Sequence, residues 1–371
     1  MADRVLLNAS NLHVGGGVQV ATSVIGEITM MENIPSNLTI WSSSVVNQNL
    51  KSLNYDLSKL PDYQVKNNFG IKALFPANVK HLNSFNKVLT IFGPLYTYNR
   101  HFYSIVGFAQ PWIIYSDNEV YNSLPFLTRL KTKLKFSLQQ KFFNKSDEII
   151  VELEHVAKGV IKKNIATKEH VKIIHNCLSS IYLDPSRWKE INYLFDPNRI
   201  KLGFVGRNYA HKNTKIFPQI KKILSSKYGI EVEFYVTFND KEWELCSNEF
   251  RNEIKNVGVL TVDQCPSFYS NIDAIIFPSL LECFSATPLE AMISKKVLFA
   301  SNKPFNHDVC GDGAIYFEAT NAHDAAEKIA HYFKNVYLQN DFQTKIDESY
   351  ERALTFANAN KRAELYLERL L

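Results

Sequence analysis

The sequence predicts an α/β protein built from two doubly wound, Rossmann-like domains, and three observations carry that reading. Short apolar runs alternate with polar or helical spacers along the chain, the pattern of a parallel sheet covered by helices on both faces. Its 371 residues, 46% hydrophobic and 21% charged, suffice for two ordinary domains with their own cores. A polar stretch from Ser179 to Asn198, containing Pro185 and Pro197, separates the two alternating series. The first domain is expected over residues 1–185, a linker over 186–199 and the second domain over 200–345.

In the first series Arg4-Val-Leu-Leu-Asn8 reads as a buried strand, followed by a loop from Asn11 to Val18 and a helix over 19–31. Gly15-Gly16-Gly17 in that loop lacks the Gly-x-Gly-x-x-Gly spacing of a dinucleotide site. These glycines are expected instead to let the backbone pass close to a ligand, with Gly16 and Gly17 as the binding candidates. Leu38–Ser42, Val88–Phe92 and Gln110–Tyr115 read as further strands, and Ser146–Glu152 and Val171–Leu178 close the series. The stretch Phe92 to His101 leaves a strand end and is expected to wall a ligand site.

Residues 125–145 read as a basic amphipathic helix. Arg129, Lys131, Lys133, Lys135, Lys141 and Lys145 occur there with no acid, while Phe126, Leu127, Leu130, Leu134, Leu138, Phe142 and Phe143 recur at helical spacing. Two readings stand side by side, an ordinary domain helix with a solvated lysine face and a helix that lies on an anionic membrane surface.

The second series opens with Ile200–Val205, which delivers Gly206-Arg207 and, five residues on, Lys212 to a strand end. A guanidinium can hold phosphate oxygens in two parallel hydrogen bonds, and an ammonium adds a compact charge beside it. Glu231–Val236, Val257–Leu260, Ala274–Phe277, Lys296–Ala300 and Ala314–Phe317 continue the sheet. Pro278-Ser279 ends the strand Ala274–Phe277, and a helix follows with Thr287 as N-cap and Pro288 at its first position. Glu282 lies in the loop between them and Glu290 in the first helical turn. Two carboxylates that accept hydrogen bonds from a sugar diol, around a helix start that offers N–H groups to an anion, suit a sugar nucleotide. Thr287-x-x-Glu290 is also a capping box, which would give Glu290 a purely structural task.

Phe277-Pro-Ser-Leu-Leu-Glu282-Cys-Phe-Ser-Ala-Thr-Pro-Leu-Glu290-Ala-Met resembles the Glu-x7-Glu signature of the family 4 retaining glycosyltransferases, with Cys283 and Ser285 where that family commonly has glycines. Gly206-Arg207 to Lys212 resembles the same family's diphosphate clamp, and the glycines after the first strand match a pair at that place in its N-terminal domain. The resemblance implies the GT-B arrangement, two facing Rossmann-like domains with a cleft between them, and a C-terminal helix over 346–371 that packs back on the first domain. It also implies a donor, a nucleotide diphosphate sugar, and an acceptor that is a saccharide or lipid-linked saccharide. Glu282, Arg207 and Lys212 would be the catalytic residues. Glu290, Gly16, Gly17, Phe284, Ser285, Ala286, Val259 and Leu260 would contact the donor, and His101 would sit on the acceptor side.

Composition narrows the remaining classes. The start of the chain carries no apolar core of a signal peptide and no run approaches the ~20 apolar residues of a membrane span, so a cytoplasmic protein is expected, bound at most to the inner face of the membrane. Five widely spaced cysteines without a Cys-x-x-Cys pair indicate neither a disulfide framework nor a zinc site. Up to Pro185 there are 19 Lys+Arg against 13 Asp+Glu, and beyond it 23 against 24, so the basic excess lies in the first half. Phosphoryl groups or a lipid surface, and no nucleic acid, are the expected anionic partners. With no Asp-x-Asp in the chain, metal-independent glycosyl transfer without a bound cofactor is expected. A sugar-nucleotide 2-epimerase and a catalytically silent binding subunit of the same architecture are the rival readings.

Overall fold

The computed structural model describes residues 3–69, 73, 76–336, 340–356 and 358–371. The chain forms two compact units, the first from Met1–Ser116, Leu124–Cys177 and Asn358–Leu371, the second from Asp117–Ser123 and Leu178–Ala357.

The first unit contains β1 (Val5–Ala9), β2 (Leu38–Ser42), β3 (Asp62–Val65), β4 (Lys87–Thr90), β5 (Tyr103–Gly107), β6 (Glu148–Val151) and β7 (Val171–Ile173). Their spatial order is β3-β2-β1-β4-β5-β6-β7, every pair parallel. All five residues of β1 are buried, as required of a strand covered on both faces. The winding reverses between β1 and β4, so the loops after these two strands diverge at the carboxyl end of the sheet.

Three expectations are corrected here. Gln110–Tyr115 is no strand: Pro111–Ile114 forms a single helical turn with proline at its first position, where a missing N–H costs nothing. The ladder partner of β4 is Tyr103–Gly107 instead, and an apolar run this short fits a strand or a helix equally. The glycine whose freedom the first loop uses is Gly15, at φ 73° on the N-cap of the helix Gly16–Met30, while Gly16 and Gly17 are already helical. Finally, only the chain from Asn358 onward belongs to the first unit, since the helix Asn340–Leu354 stays in the second and packs on the helix Ala286–Ile293.

The last helix, Ala359–Leu370, packs against Gly16–Met30 and buries Arg362, Ala363, Tyr366, Leu367 and Leu370. At its outer end Arg369 holds Glu148 in two bonds of 2.9 and 2.6 Å. Arg362, 4% exposed, hydrogen-bonds the Asn176 side-chain oxygen and faces the carboxylates of Glu27 and Glu152. Burial pushes Glu152 up to about 7 against the pull of the Arg362 charge.

The second unit contains β8 (Ile200–Phe204), β9 (Val232–Val236), β10 (Ile254–Asn256), β11 (Ala274–Phe277), β12 (Val297–Ser301) and β13 (Ile315–Phe317) in the parallel order β10-β9-β8-β11-β12-β13. Phe204, Phe217, Phe234, Phe238, Phe268 and Phe277 are fully buried, with Phe217 and Phe234 stacked at 5.0 Å. Residues 257–260, expected as a strand, lie beyond β10. The Val257 N–H makes a last bond to the Val236 carbonyl at 2.9 Å, after which Gly258 at φ 88° turns the chain away.

Two outcomes follow from the buried Arg362 cluster. Arg362→Met strands the Glu27 and Glu152 carboxylates away from water and is expected to cost about 3–5 kcal/mol in urea unfolding. Glu152 binds its proton more tightly folded than unfolded, so the stability it contributes is complete below its ordinary value near 4.5 and is lost as pH rises through about 7. Glu152→Gln should therefore flatten the decline of stability between those pH values, read from melting midpoints across the range.

Candidate active site

In the second unit β8 and β11 are neighbours from which the strand order runs in opposite directions, which places a crevice above their carboxyl ends. The loop after β8 carries Arg207 and Lys212, and the loop after β11 carries Glu282. Gly206 starts the first loop at φ 153°, where a side chain is strained, and a Cβ there would lie 3.1 Å from the Phe204 ring, which would have to shift by a few tenths of an ångström. Its N–H donates to Thr237 Oγ1 at 3.1 Å. Ala210–Lys212 makes one 3-10 turn, ended by Asn213 in the left-handed region at φ 54°, which asparagine tolerates. The buried Asn213 amide donates to the Ala319 carbonyl at 2.7 Å and pins the turn.

This bracing sets Lys212, whose side chain is 13% exposed, with Nζ 2.6 Å from Glu282 Oε1 and 5.1 Å from the centre of the Phe277 ring. Glu282 also accepts from Ser279 Oγ at 2.6 Å. Beneath it runs a buried relay: Ser301 Oγ donates to the Ser279 carbonyl at 2.6 Å, and the Asn306 amide donates to the Ser301 carbonyl and hydroxyl at 2.8 and 2.9 Å. Ser279, Ser301 and Asn306 are wholly inaccessible, so the carboxylate direction is set by rigid groups. Sequence reasoning missed all three, and their one local signal is that each is a polar residue inside or next to an apolar strand or helix. The two loops are joined directly by the Leu280 N–H, which donates to the His211 carbonyl at 2.7 Å. His211 Nε2 lies 3.9 Å from Glu282, and burial lowers the His211 pKa, with Glu282 pulling it up and Lys212 pushing it down. The imidazole is therefore neutral near pH 7, leaving Lys212 as the cation that faces Glu282.

The helix after β11 spans Ala286–Ile293, starting two residues earlier than expected, and its N-cap Ser285 makes no side-chain capping bond. Thr287 is inside the first turn and donates its hydroxyl to the Val205 carbonyl at 3.0 Å. The Thr287-x-x-Glu290 capping box is thus absent, and Glu290 instead accepts from the Tyr269 hydroxyl at 2.8 Å. Burial raises the Glu290 pKa, while the Tyr269 and Tyr182 phenols and the Lys212 charge pull it back. Both tyrosines are pushed well above their ordinary range by burial and by Glu290, so both stay neutral, and Tyr269 is the one that donates to Glu290. Cys283, in the loop before this helix, is buried, whereas Phe284, Ser285 and Ala286 are half-buried. The first N–H groups of the helix lack a side-chain partner from its cap and carry the positive end of the helix dipole.

The remaining sequence candidates fall apart from this cluster. Arg207 is 52% exposed, and its Nε pairs with Glu242 Oε1 at 2.8 Å, not with Glu282. Glu242 belongs to the capping box of the helix Asp240–Glu244, so Arg207 is held by a neighbouring helix start. Val259, 65% exposed, and Leu260, half-buried, lie past the edge strand β10. In the first unit Gly16 and Gly17 do follow the carboxyl end of β1. His101, however, immediately precedes β5 at the amino end of the sheet. Its N–H donates to the side chain of Asn83, which lies just before β4, and Tyr103 pairs with Lys87 at the start of that strand. The parallel crossover from β4 back to β5 carries the chain away from the loop-bearing edge, and His101 travels with it.

Because Lys212 and Glu282 share a nearly dry pocket, Lys212→Met should destabilise the protein by about 3–5 kcal/mol, the scale for breaking a buried pair on one side. The double variant Lys212→Met, Glu282→Gln should recover a substantial part of that loss, and additive losses in the urea cycle would show the pair to be uncoupled.

The sequence model of the family described as Glycosyl transferases group 1 matches residues 188–348. The chain is 24% identical over 190 residues to the O-antigen chain mannosyltransferase RfbU of Salmonella typhimurium; that match covers 50% of each, so the similarity spans about half the length of this relative. Among solved structures it is similar to a glycosyltransferase from Rickettsia africae (16% identity, TM-score 0.67) and to Anabaena Alr3699/HepE in complex with UDP-glucose (12% identity, TM-score 0.69), with 99% of both chains covered in each comparison. The fold is therefore that of the GT-B glycosyltransferases, and the match to the group 1 family falls on the unit that carries Arg207, Lys212, Glu282 and Glu290.

Proposed function

We propose that this chain transfers a glycosyl group from a nucleotide diphosphate sugar to a saccharide or lipid-linked saccharide acceptor, with retention at the anomeric carbon, in the synthesis of a cell-surface polysaccharide. The observation that carries the reading is the Lys212–Glu282 pair, 2.6 Å apart beside an uncapped helix N-terminus at the switch point of a parallel sheet. It is supported by the group 1 match over that unit, by a relative named as an O-antigen mannosyltransferase, and by a structural neighbour solved with UDP-glucose.

Each group then has a task. Lys212 and the helix N-terminus neutralise charge that grows on the departing diphosphate, which is stronger in a water-poor crevice than in bulk water. Arg207, the more exposed partner, joins them by exchanging Glu242 for a phosphate, a bidentate partner of equal charge type. Glu282, aimed by Ser279 and Lys212, orients donor-sugar hydroxyls and supports positive charge at the anomeric carbon. Glu290 uses the oxygen not taken by Tyr269 for the ribose hydroxyls. No side chain of the cluster serves as a nucleophile in this scheme, and the leaving phosphate takes the acceptor proton on the same face.

The scheme needs no metal, because cations and N–H groups surround the diphosphate position. The adjacent acids Asp147 and Glu148 are engaged elsewhere, by Arg100 and by Arg369.

Incubation with UDP- and GDP-sugars without acceptor, with products read by NMR, tests the reaction class. Slow release of an α-configured sugar and nucleoside diphosphate is the expected outcome, a 2-epimer would make the chain an epimerase, and unchanged donors with no thermal stabilisation would make it a silent binder. Glu290→Gln should raise the donor Kd roughly tenfold, the worth of one charge-assisted hydrogen bond, with little change in melting temperature. Turnover in excess EDTA should equal turnover without it, and a loss restored by magnesium or manganese would overturn the charge-neutralisation scheme.

A further inference from the structure

The helix Phe126–Phe143 has two apolar faces on opposite sides, and the fold uses one of them. Successive residues turn by ~100°, which puts Phe136 and Phe143 on a common side. Both are buried, Phe136 stacked on Trp112 at 5.7 Å and Phe143 tilted against Phe108 at 4.8 Å. Phe126, Leu127, Leu130, Leu134 and Leu138 fall in an arc roughly 120° wide on the other side. They are 69%, 68%, 47%, 63% and 56% exposed. Single exposed apolar residues are ordinary, but five on one stripe of one helix mark an interaction surface.

The charges are arranged around that stripe. By the same rotation Lys131 and Lys135 border it on one side and Lys133 on the other, while Lys141 rises within it near its carboxyl end. Arg129 and Lys145 complete six cations over residues 125–145, where no carboxylate occurs. A second copy of this face is a poor occupant, since it would oppose one carboxylate-free set of cations with another. Long lysine stems flanking an apolar stripe match a boundary between hydrocarbon and anionic headgroups, where the stem is buried and the ammonium stays wet.

We propose that this helix docks the protein on an anionic lipid bilayer, with the Phe126–Leu138 stripe entering the acyl boundary and the surrounding lysines meeting the lipid phosphates. No helix among the described residues is long and apolar enough to cross a membrane, so the attachment lies in the interface plane. The inference uses nothing from the crevice between β8 and β11, and its test reads binding without activity.

The full chain is sedimented with vesicles of phosphatidylcholine alone and of phosphatidylcholine with equal phosphatidylglycerol. Wild type is expected to pellet with the anionic vesicles only. The variant Lys131→Gln, Lys133→Gln, Lys135→Gln should partition at least tenfold more weakly, each charge near the surface being worth roughly fivefold. The variant Leu130→Gln, Leu134→Gln, Leu138→Gln should also lose binding at an unchanged melting temperature, because these side chains are exposed in the fold. Wild type left in the supernatant with anionic vesicles overturns the proposal. So does leucine-variant binding equal to wild type, which would reduce the contact to charge alone, and so does leucine-dependent self-association without vesicle binding.

Discussion

The site depends on one buried ion pair. Lys212 and Glu282 lie 2.6 Å apart with 13% and 11% of their side chains exposed, so neither charge is solvated enough to stand without the other. Every nearby feature serves to hold them in register: the left-handed Asn213 that ends the Lys212 turn, the Leu280 to His211 backbone bond that joins the two loops, and the Ser279, Ser301 and Asn306 relay under the carboxylate. In the proposed reaction such a pair meets a ligand of mixed character. The ammonium can turn part of its attraction to a phosphate while the carboxylate, still held by Ser279, receives hydroxyl groups.

The parallel sheet supplies the scaffold for that pair. In the order β10-β9-β8-β11-β12-β13 the two central strands send their loops apart, which opens space that helices close everywhere else. The aromatic layer around Phe204, Phe217, Phe234 and Phe277 makes the strand ends stiff and also forms the floor under Lys212. Glu290 is placed by a different group, the phenol of Tyr269, so the two glutamates are positioned independently. Arg207 stands outside this packing on a mobile-length side chain paired at the surface, which suits a group that engages only when a ligand arrives.

The first unit is tied together by charge as well as by its core. Arg362 enters a pocket lined by Glu27, Glu152 and Asn176, and Arg369 closes on Glu148, so the last helix is locked to the sheet at two levels. The helix Phe126–Phe143 is the opposite case. Its buried face packs into the unit, while its second apolar face stays 47–69% exposed, which is the ground of the proposal that it meets a lipid surface.

The amino-acid sequence by itself determined what local patterning can determine. Ala274-Ile-Ile-Phe277 and Leu38–Ser42 form strands because buried apolar runs of that length have few other solutions, and the local order of strand, loop and helix put Lys212 and Glu282 in the loops that follow β8 and β11. What depended on partners far along the chain was decided only by the tertiary structure. Gln110–Tyr115 became a helical turn because Tyr103–Gly107 took its place beside β4, and His101 went to the amino end of the sheet because a parallel crossover must return there. Thr287 did not cap its helix because the Val205 carbonyl, 82 positions away in sequence, claimed its hydroxyl, which freed Glu290 for Tyr269. Ser301 and Asn306 had no signature at all, since their role beneath Glu282 exists only once β11 and β12 lie side by side.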